Sequence, residues 1–87
     1  YAGRVVERGP VRELLLAPRH PYTAALVRAA PAREPFDVAL EGLPGRAPLP
    51  RERTEGCAFA PRCALARAEC RSVRPVLVRQ SDGRELA

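Results

Sequence analysis

Apolar residues along this chain come in short bursts, each stopped by proline or glycine. In "YAGRVVERGP" Val5 and Val6 favour a strand, and Gly9-Pro10 ends it. Ala2-Gly3 reads as a turn, which places the first residues inside a hairpin whose other strand lies upstream. Tyr1 to Glu7 are then expected as an unpaired edge, open to fraying or to self-association with a second copy. In "PVRELLLAP" Pro10 suits a first helical position, and Val11, Leu14 and Leu15 share a face. Pro18 stops the segment after about two turns, because Ala17 before it is biased away from helix. "RHPYTAALVRAAPAREP" predicts the stronger helix. Pro21 takes its first position with His20 just outside, and Tyr22, Ala25, Leu26 and Ala29 recur on one face. Pro31 limits it to about three turns.

Residues 31–56 lose this periodicity. "LEGLPGRAPLPRERTEG" mixes proline, glycine and charge, and predicts an extended connector with Leu40, Leu43 and Leu49 as anchors. The alternative for such a composition is a disordered linker. Towards the end "VLVR" is a strand candidate, Ser81-Asp82-Gly83 a hairpin turn, and "RELA" a return strand that stops after four residues. The expected fold is α+β: a small irregular domain with a short N-terminal strand, two short helices, a Pro/Gly-rich connector, a cysteine-bearing helix or loop and a C-terminal hairpin. Both ends read as cut within an element, so the chain is expected to be a fragment.

Composition narrows the function classes. Eighty-seven residues make one domain at most, with a thin stability margin. Tyr1, Tyr22, Phe36 and Phe59 are all the aromatics. No apolar run approaches the roughly 20 residues that span a membrane, and nothing resembles a signal peptide. A reducing cytosol is therefore the expected compartment, which disfavours a structural disulfide. The net charge of +5 invites a nucleic-acid reading. Yet all fifteen basic residues are arginine, fifteen alanines accompany them, and ten acids interleave. This is the bias of genome base composition. With no dense basic run and no aromatic platform, it argues against nucleic acid as the partner.

All three cysteines lie in "CAFAPRCALARAEC", as Cys57, Cys63 and Cys70, spaced C-x5-C-x6-C. This is not the C-x2-C knuckle of common zinc sites. "ALARAEC" favours helix, which would put Cys63 and Cys70 on one face. Cys57 would approach from the preceding loop through a turn at Phe59-Ala60-Pro61, so that three thiols converge. Arg62, Arg67 and Arg71 would favour their thiolates. Two readings stay open: a metal or cluster ligand set, and small buried apolar side chains. A ligand set needs a fourth member. His20 is the sole histidine and belongs to another motif, so the fourth ligand is expected beyond Ala87. A cysteine nucleophile would also need a base, for which His20 is the one histidine available. There is no G-x-x-x-x-G-K-[ST] loop and no Ser-His or paired-carboxylate arrangement, so the chain alone is expected to be non-catalytic.

Three stretches together resemble one family. "YAGRVVERGPVRELLLAPRHPYTAALVRA" is similar to the last hairpin and helices of an ABC-transporter ATPase subunit. "HPYT" at His20–Thr23, then "LPGRAPLP" and "GCAFAPRCALARAEC", resemble the branch serving oligopeptide, dipeptide and nickel importers. The resemblance implies that residues 1–30 end the ATPase domain and that 31–87 form a cysteine-containing C-terminal extension. It implies ATP and Mg2+ in the rest of the subunit, and as partners that rest, a second ATPase subunit and a membrane permease. The implied place is peripheral, on the cytoplasmic face of a bacterial or archaeal membrane. Some members hold a [4Fe–4S] cluster on four cysteines of this extension. Cys57, Cys63 and Cys70 match the first three, with zinc as the alternative metal and an empty fragment the third outcome. Ala64 stands where the family usually has proline. The rival from another class is a stand-alone zinc-binding interaction module.

Overall fold

A computed structural model describes residues 1–30, 42–52 and 55–87. It is a small α+β structure built on a three-stranded antiparallel sheet. In chain order come strand β1 (Glu7–Arg8), helix α1 (Val11–Leu16) and helix α2 (Pro21–Ala29). Short 3-10 turns follow at Pro50–Glu52, Ala60–Arg62 and Ala68–Arg71, then strands β2 (Val78–Arg79) and β3 (Glu85–Leu86). The expected anchor Leu40 lies outside the described residues.

The start of the chain folds as expected at one point and departs at the next. Ala2 and Gly3 both take positive φ, 49° and 78°, and the Arg4 N–H donates to the Tyr1 carbonyl at 3.0 Å. Two positive φ values in succession define the tight turn that Gly3 permits sterically. The expectation of an unpaired strand is corrected at its end, although β1 remains an edge of the sheet. β1 pairs with β3, Glu7 opposite Leu86 and Arg8 opposite Glu85, and the Ala87 N–H extends the ladder to the Val6 carbonyl at 3.0 Å. The strand also sits later than Val5 and Val6 suggested; Val5 itself is exposed.

The C-terminal hairpin follows its sequence signal. Gly83 takes φ 85°, its N–H donates to the Gln80 carbonyl, and the Gln80 N–H returns to the Arg84 carbonyl at 2.7 Å. This is a three-residue loop closed by a left-handed glycine. β3 thereby becomes the central strand, in the order β1-β3-β2.

The helices are short, and little of them is buried. α1 starts one residue after Pro10 and ends at Leu16. Its expected apolar face lies open, with Val11 and Leu15 exposed and Leu14 half-buried. α2 has Pro21 in its first position and His20 as its N-cap. Its buried contact is Ala25, whereas Leu26 is exposed. The core is aromatic: Phe59, 2% exposed, meets Tyr1 and Tyr22 at centroid distances of 5.0 and 5.6 Å, and Tyr1 meets Tyr22 at 4.7 Å. Such tilted and edge-on contacts satisfy the ring quadrupoles. This cluster joins the turn at the chain start, α2 and the cysteine segment.

Beneath the sheet lies a buried polar seam. The Glu7 carboxylate accepts the backbone N–H groups of Arg19 and His20 at 3.0 and 3.1 Å. The His20 N–H, at the N-cap of α2, is one of the donors that a helix start leaves without an intrahelical partner. Arg84, buried, donates from Nη1 to the Ala17 carbonyl at 2.8 Å and from Nε to Asp82 at 2.9 Å. One residue of the hairpin thus closes the C-terminal end of α1, while one residue of β1 closes the approach to α2.

Candidate functional site

His20 is positioned by its capping role. Its backbone is extended (φ −76°, ψ 132°), and its Nδ1 accepts the Tyr22 N–H at 3.1 Å. That bond fixes Nδ1 as the acceptor and leaves the proton of the neutral ring on Nε2. The imidazole is buried, 5.9 Å from the Phe59 ring. Burial holds its pKa below the ordinary histidine value, and nearby Glu7 opposes this. The neutral form is therefore the one the fold favours.

Phe59 reaches the same place from a run of tight turns. The Ala60 N–H donates to the Cys57 carbonyl, that of Arg62 to Phe59, and that of Cys63 to Ala60. The expected turn at Phe59-Ala60-Pro61 is present. The expected helix over "ALARAEC" is not. Ala66 donates back to Cys63 and Cys70 back to Arg67, both three-residue spacings. Arg67 between them is extended (φ −112°, ψ 167°). Long-range pairing overrides the local helix preference: the Cys57 N–H donates to the Cys70 carbonyl at 2.8 Å. A methyl group on Gly56 would lie only 2.4 Å from the Arg71 carbonyl oxygen. The segment is folded back on itself, whereas a straight helix would carry Cys70 about 10 Å from Cys63.

The thiols are accordingly placed differently from the expected convergence. Cys57, Cys63 and Cys70 are all free and half-buried. Cys57 and Cys70 are joined backbone to backbone, while Cys63 ends the neighbouring 3-10 turn. Cys70 Sγ accepts the Arg67 N–H at 3.4 Å. Among the described residues no group of three or more His, Cys, Asp or Glu side chains is gathered to hold a metal ion. Two of the arginines expected around the thiols, Arg62 and Arg67, are engaged elsewhere. Arg62 donates to the carbonyls of Leu43, Pro44 and Gly45 and to the Tyr1 hydroxyl. It thereby anchors the connector, a task the sequence reading gave to leucines; Leu43 is half-buried and Leu49 exposed. Arg67 reaches Glu69 at 3.8 Å on the surface.

A cavity of about 410 Å³ lies between the chain start, the cysteine segment and the chain end. His20, Cys57, Phe59, Val6, Arg4 and Arg74 are among its lining residues. Cys63 and Cys70 do not line it. The structure thus brings one of the three cysteines to the single histidine. Glu7, which accepts the His20 N–H, and Arg84, which faces Glu7, went unnoticed in the sequence: a charged pair so distant along the chain leaves no periodic signal. A capping signal for His20 was available, since a residue just before a helical proline is the ordinary N-cap position.

Among the described residues no helix is long and apolar enough to cross a membrane. The model for the C-terminal region of oligopeptide/dipeptide transporters matches residues 6–70. The chain is 48% identical over 88 residues to a probable peptide ABC transporter ATP-binding protein of Sinorhizobium fredii, covering 100% of this chain and 25% of that protein. It is 45% identical over 85 residues to the dipeptide transport ATP-binding protein DppD of Escherichia coli, covering 98% and 26%. A putative peptide import ATP-binding protein of Brucella melitensis is 42% identical over 77 residues, covering 88% and 23%. The chain spans about a quarter of the length of these relatives.

Proposed function

Since the chain belongs to the family of C-terminal regions of oligopeptide/dipeptide transporters, we propose that it is the C-terminal part of an ABC importer's ATP-binding subunit. The intact subunit couples ATP hydrolysis to the uptake of oligopeptides or dipeptides. The observation carrying this reading is the match to peptide-import ATP-binding proteins along nearly the whole chain. In this reading residues 1–30 end the ATPase domain and 31–87 form the extension. The partners are the rest of the subunit, a second ATPase subunit and a permease, at the cytoplasmic face of the membrane. ATP and Mg2+ are handled elsewhere in the subunit, and this region is non-catalytic: its sequence holds no phosphate-cradling loop.

Cys57, Cys63 and Cys70 stay within the proposal as candidate soft-metal ligands, for iron–sulfur or zinc. Thiolates suit both. Among the described residues they are not gathered into a ligand set, so the reading rests on the resemblance and on their chemistry. Anaerobic reconstitution of the full-length protein with iron and sulfide tests this. Broad visible absorption lost in Cys63→Ser supports the ligand role; a colourless protein that also takes up no zinc removes it. The transport reading is tested separately. ATP hydrolysis by the full-length subunit with its permease in liposomes should rise when peptide is supplied, and hydrolysis indifferent to peptide would count against it.

A further inference from the structure

We propose that the β2–β3 hairpin is a strap that opens and closes as one unit over the junction between α1 and α2, with Arg84 as its lock. The first observation is what the hairpin buries. Of residues 78–87 Arg84 is the buried one, whereas Val78 is exposed and Leu86 half-buried. A hairpin ordinarily docks through an apolar face; this one docks through a guanidinium. The second is the seat. A Cβ on Gly9 would lie 2.8 Å from Cγ and 3.0 Å from Cδ of Arg84, so the glycine between β1 and α1 leaves room for the arginine stem to cross. Beyond it, Nη1 donates to the Ala17 carbonyl at 2.8 Å, 67 positions back along the chain. The third is the set of partners. Arg84 meets carboxylates from three elements: Glu7 of β1 at 4.0 Å, Glu13 of α1 at 3.4 Å and Asp82 of its own turn at 2.9 Å. Arg19, at the junction, ties back to Asp82 at 3.0 Å.

Such a lock is all-or-none. A hairpin lifted part of the way would leave Glu7 and the Ala17 carbonyl buried without Arg84 and without water, which is costlier than either end state. Closed, every group is paired; fully open, water replaces the arginine. An apolar contact of two-residue strands would instead loosen by degrees. Opening uncovers more than the hairpin. β1 pairs with β3 and not with β2, so it loses its partner strand, and the end of α1 loses the donor on its carbonyl. The start of α2 at His20-Pro21 is thereby controlled from the far end of the fold. The strap holds whether or not the chain serves peptide import, and it uses none of the cysteines.

Hydrogen exchange of the full-length protein, followed by mass spectrometry, tests it. Peptides covering the hairpin and the α1–α2 junction should exchange together, while the segment around Phe59, 2% exposed, stays more protected. Arg84→Ala should speed exchange of both peptides by about tenfold and leave the Phe59 segment unchanged. Gly9→Ala, which removes no charge, should do the same by displacing the arginine stem. In an Arg84→Ala background Gly9→Ala should add nothing, because the remaining Cβ of residue 84 lies at an ordinary 3.6 Å. Arg79→Ala, at an exposed position of the same hairpin, serves as the control without effect. Hairpin and junction exchanging independently, additive effects of the two substitutions, or equal acceleration of the Phe59 segment in Arg84→Ala would each overturn the proposal.

Discussion

Glu7 and Arg84 face each other across the buried seam between β1 and the hairpin, Oε1 to Nη1 at 4.0 Å, with side chains 2% and 7% exposed. Neither charge relies on the other alone. Glu7 also takes two backbone N–H groups, and Arg84 also meets Ala17, Asp82 and Glu13. Buried charges are tolerable only with such satisfaction. Glu7→Gln removes the charge and turns a donor towards N–H groups that need an acceptor. The expected cost is about 2–3 kcal/mol, read as a lower midpoint in urea. Glu85→Gln, at the exposed cross-strand pair with Arg8 (2.7 Å), should change stability by less than about 1 kcal/mol.

Acid should weaken the fold in two stages. Burial raises the Glu7 pKa, but hydrogen bonds from Thr23, Arg19 and His20 and the charge of Arg84 outweigh it, so the net shift is downward from 4.5. His20 is lowered from 6.5, chiefly by burial. For a depressed group the unfolded chain binds protons first, so its stabilisation is present above the unfolded value and lost as pH falls through the folded one. Melting temperature should therefore hold steady above pH 7, fall as acidification passes below 6.5, and fall again below 4.5. His20→Asn keeps a good capping acceptor and should erase the first stage alone. A melting temperature constant from pH 7 to 5 in the parent protein would contradict this assignment.

The backbone approach between Gly56 and Arg71 should be intolerant of any side chain. A Cβ at Gly56 would sit 2.4–2.5 Å from backbone atoms of Cys70 and Arg71, which cannot yield as a flexible side chain can. Gly56→Ala should cost about 1–3 kcal/mol. Gly42→Ala, with nothing within 4 Å of the added carbon, serves as the control and should be near neutral. Thermal denaturation of the two variants decides the comparison.

What the sequence disclosed was local. The turn at Ser81-Asp82-Gly83 and the start of α2 at His20-Pro21 depend on residues within four positions of one another, and both are where residue chemistry put them. The pairing of β1 with β3 joins the two ends of the chain, and no periodicity in either end announces it. The helix forecast for "ALARAEC" failed for a related reason: alanine propensity favours it, but the Cys57–Cys70 bond and the Gly56 contact are long-range and win. At the candidate site, Cys57 and His20 were legible as reactive types. That these two line a common cavity, and that Cys63 and Cys70 do not line it, emerged only from the tertiary arrangement.

The same backbone bond predicts which thiols pair on oxidation. A direct N–H···O=C bond at 2.8 Å brings the Cys57 and Cys70 backbones together, the close approach of Cα atoms that a disulfide requires. Diamide, reduced to its hydrazine as it removes two electrons and two protons, should join Cys57 to Cys70 first and leave Cys63 reactive. Peptide mapping showing Cys63 in the dominant disulfide would contradict this.

The central claim concerns peptide import, and uptake measures it most directly. Cells lacking the gene should lose ATP-dependent accumulation of radiolabelled alanyl-alanine or of a longer alanine peptide, and the intact gene should restore it. A gene truncated before Tyr1 should restore it poorly, as expected if this region serves the working subunit. Peptide accumulation unchanged by loss of the gene, in cells shown to express it, would contradict the account.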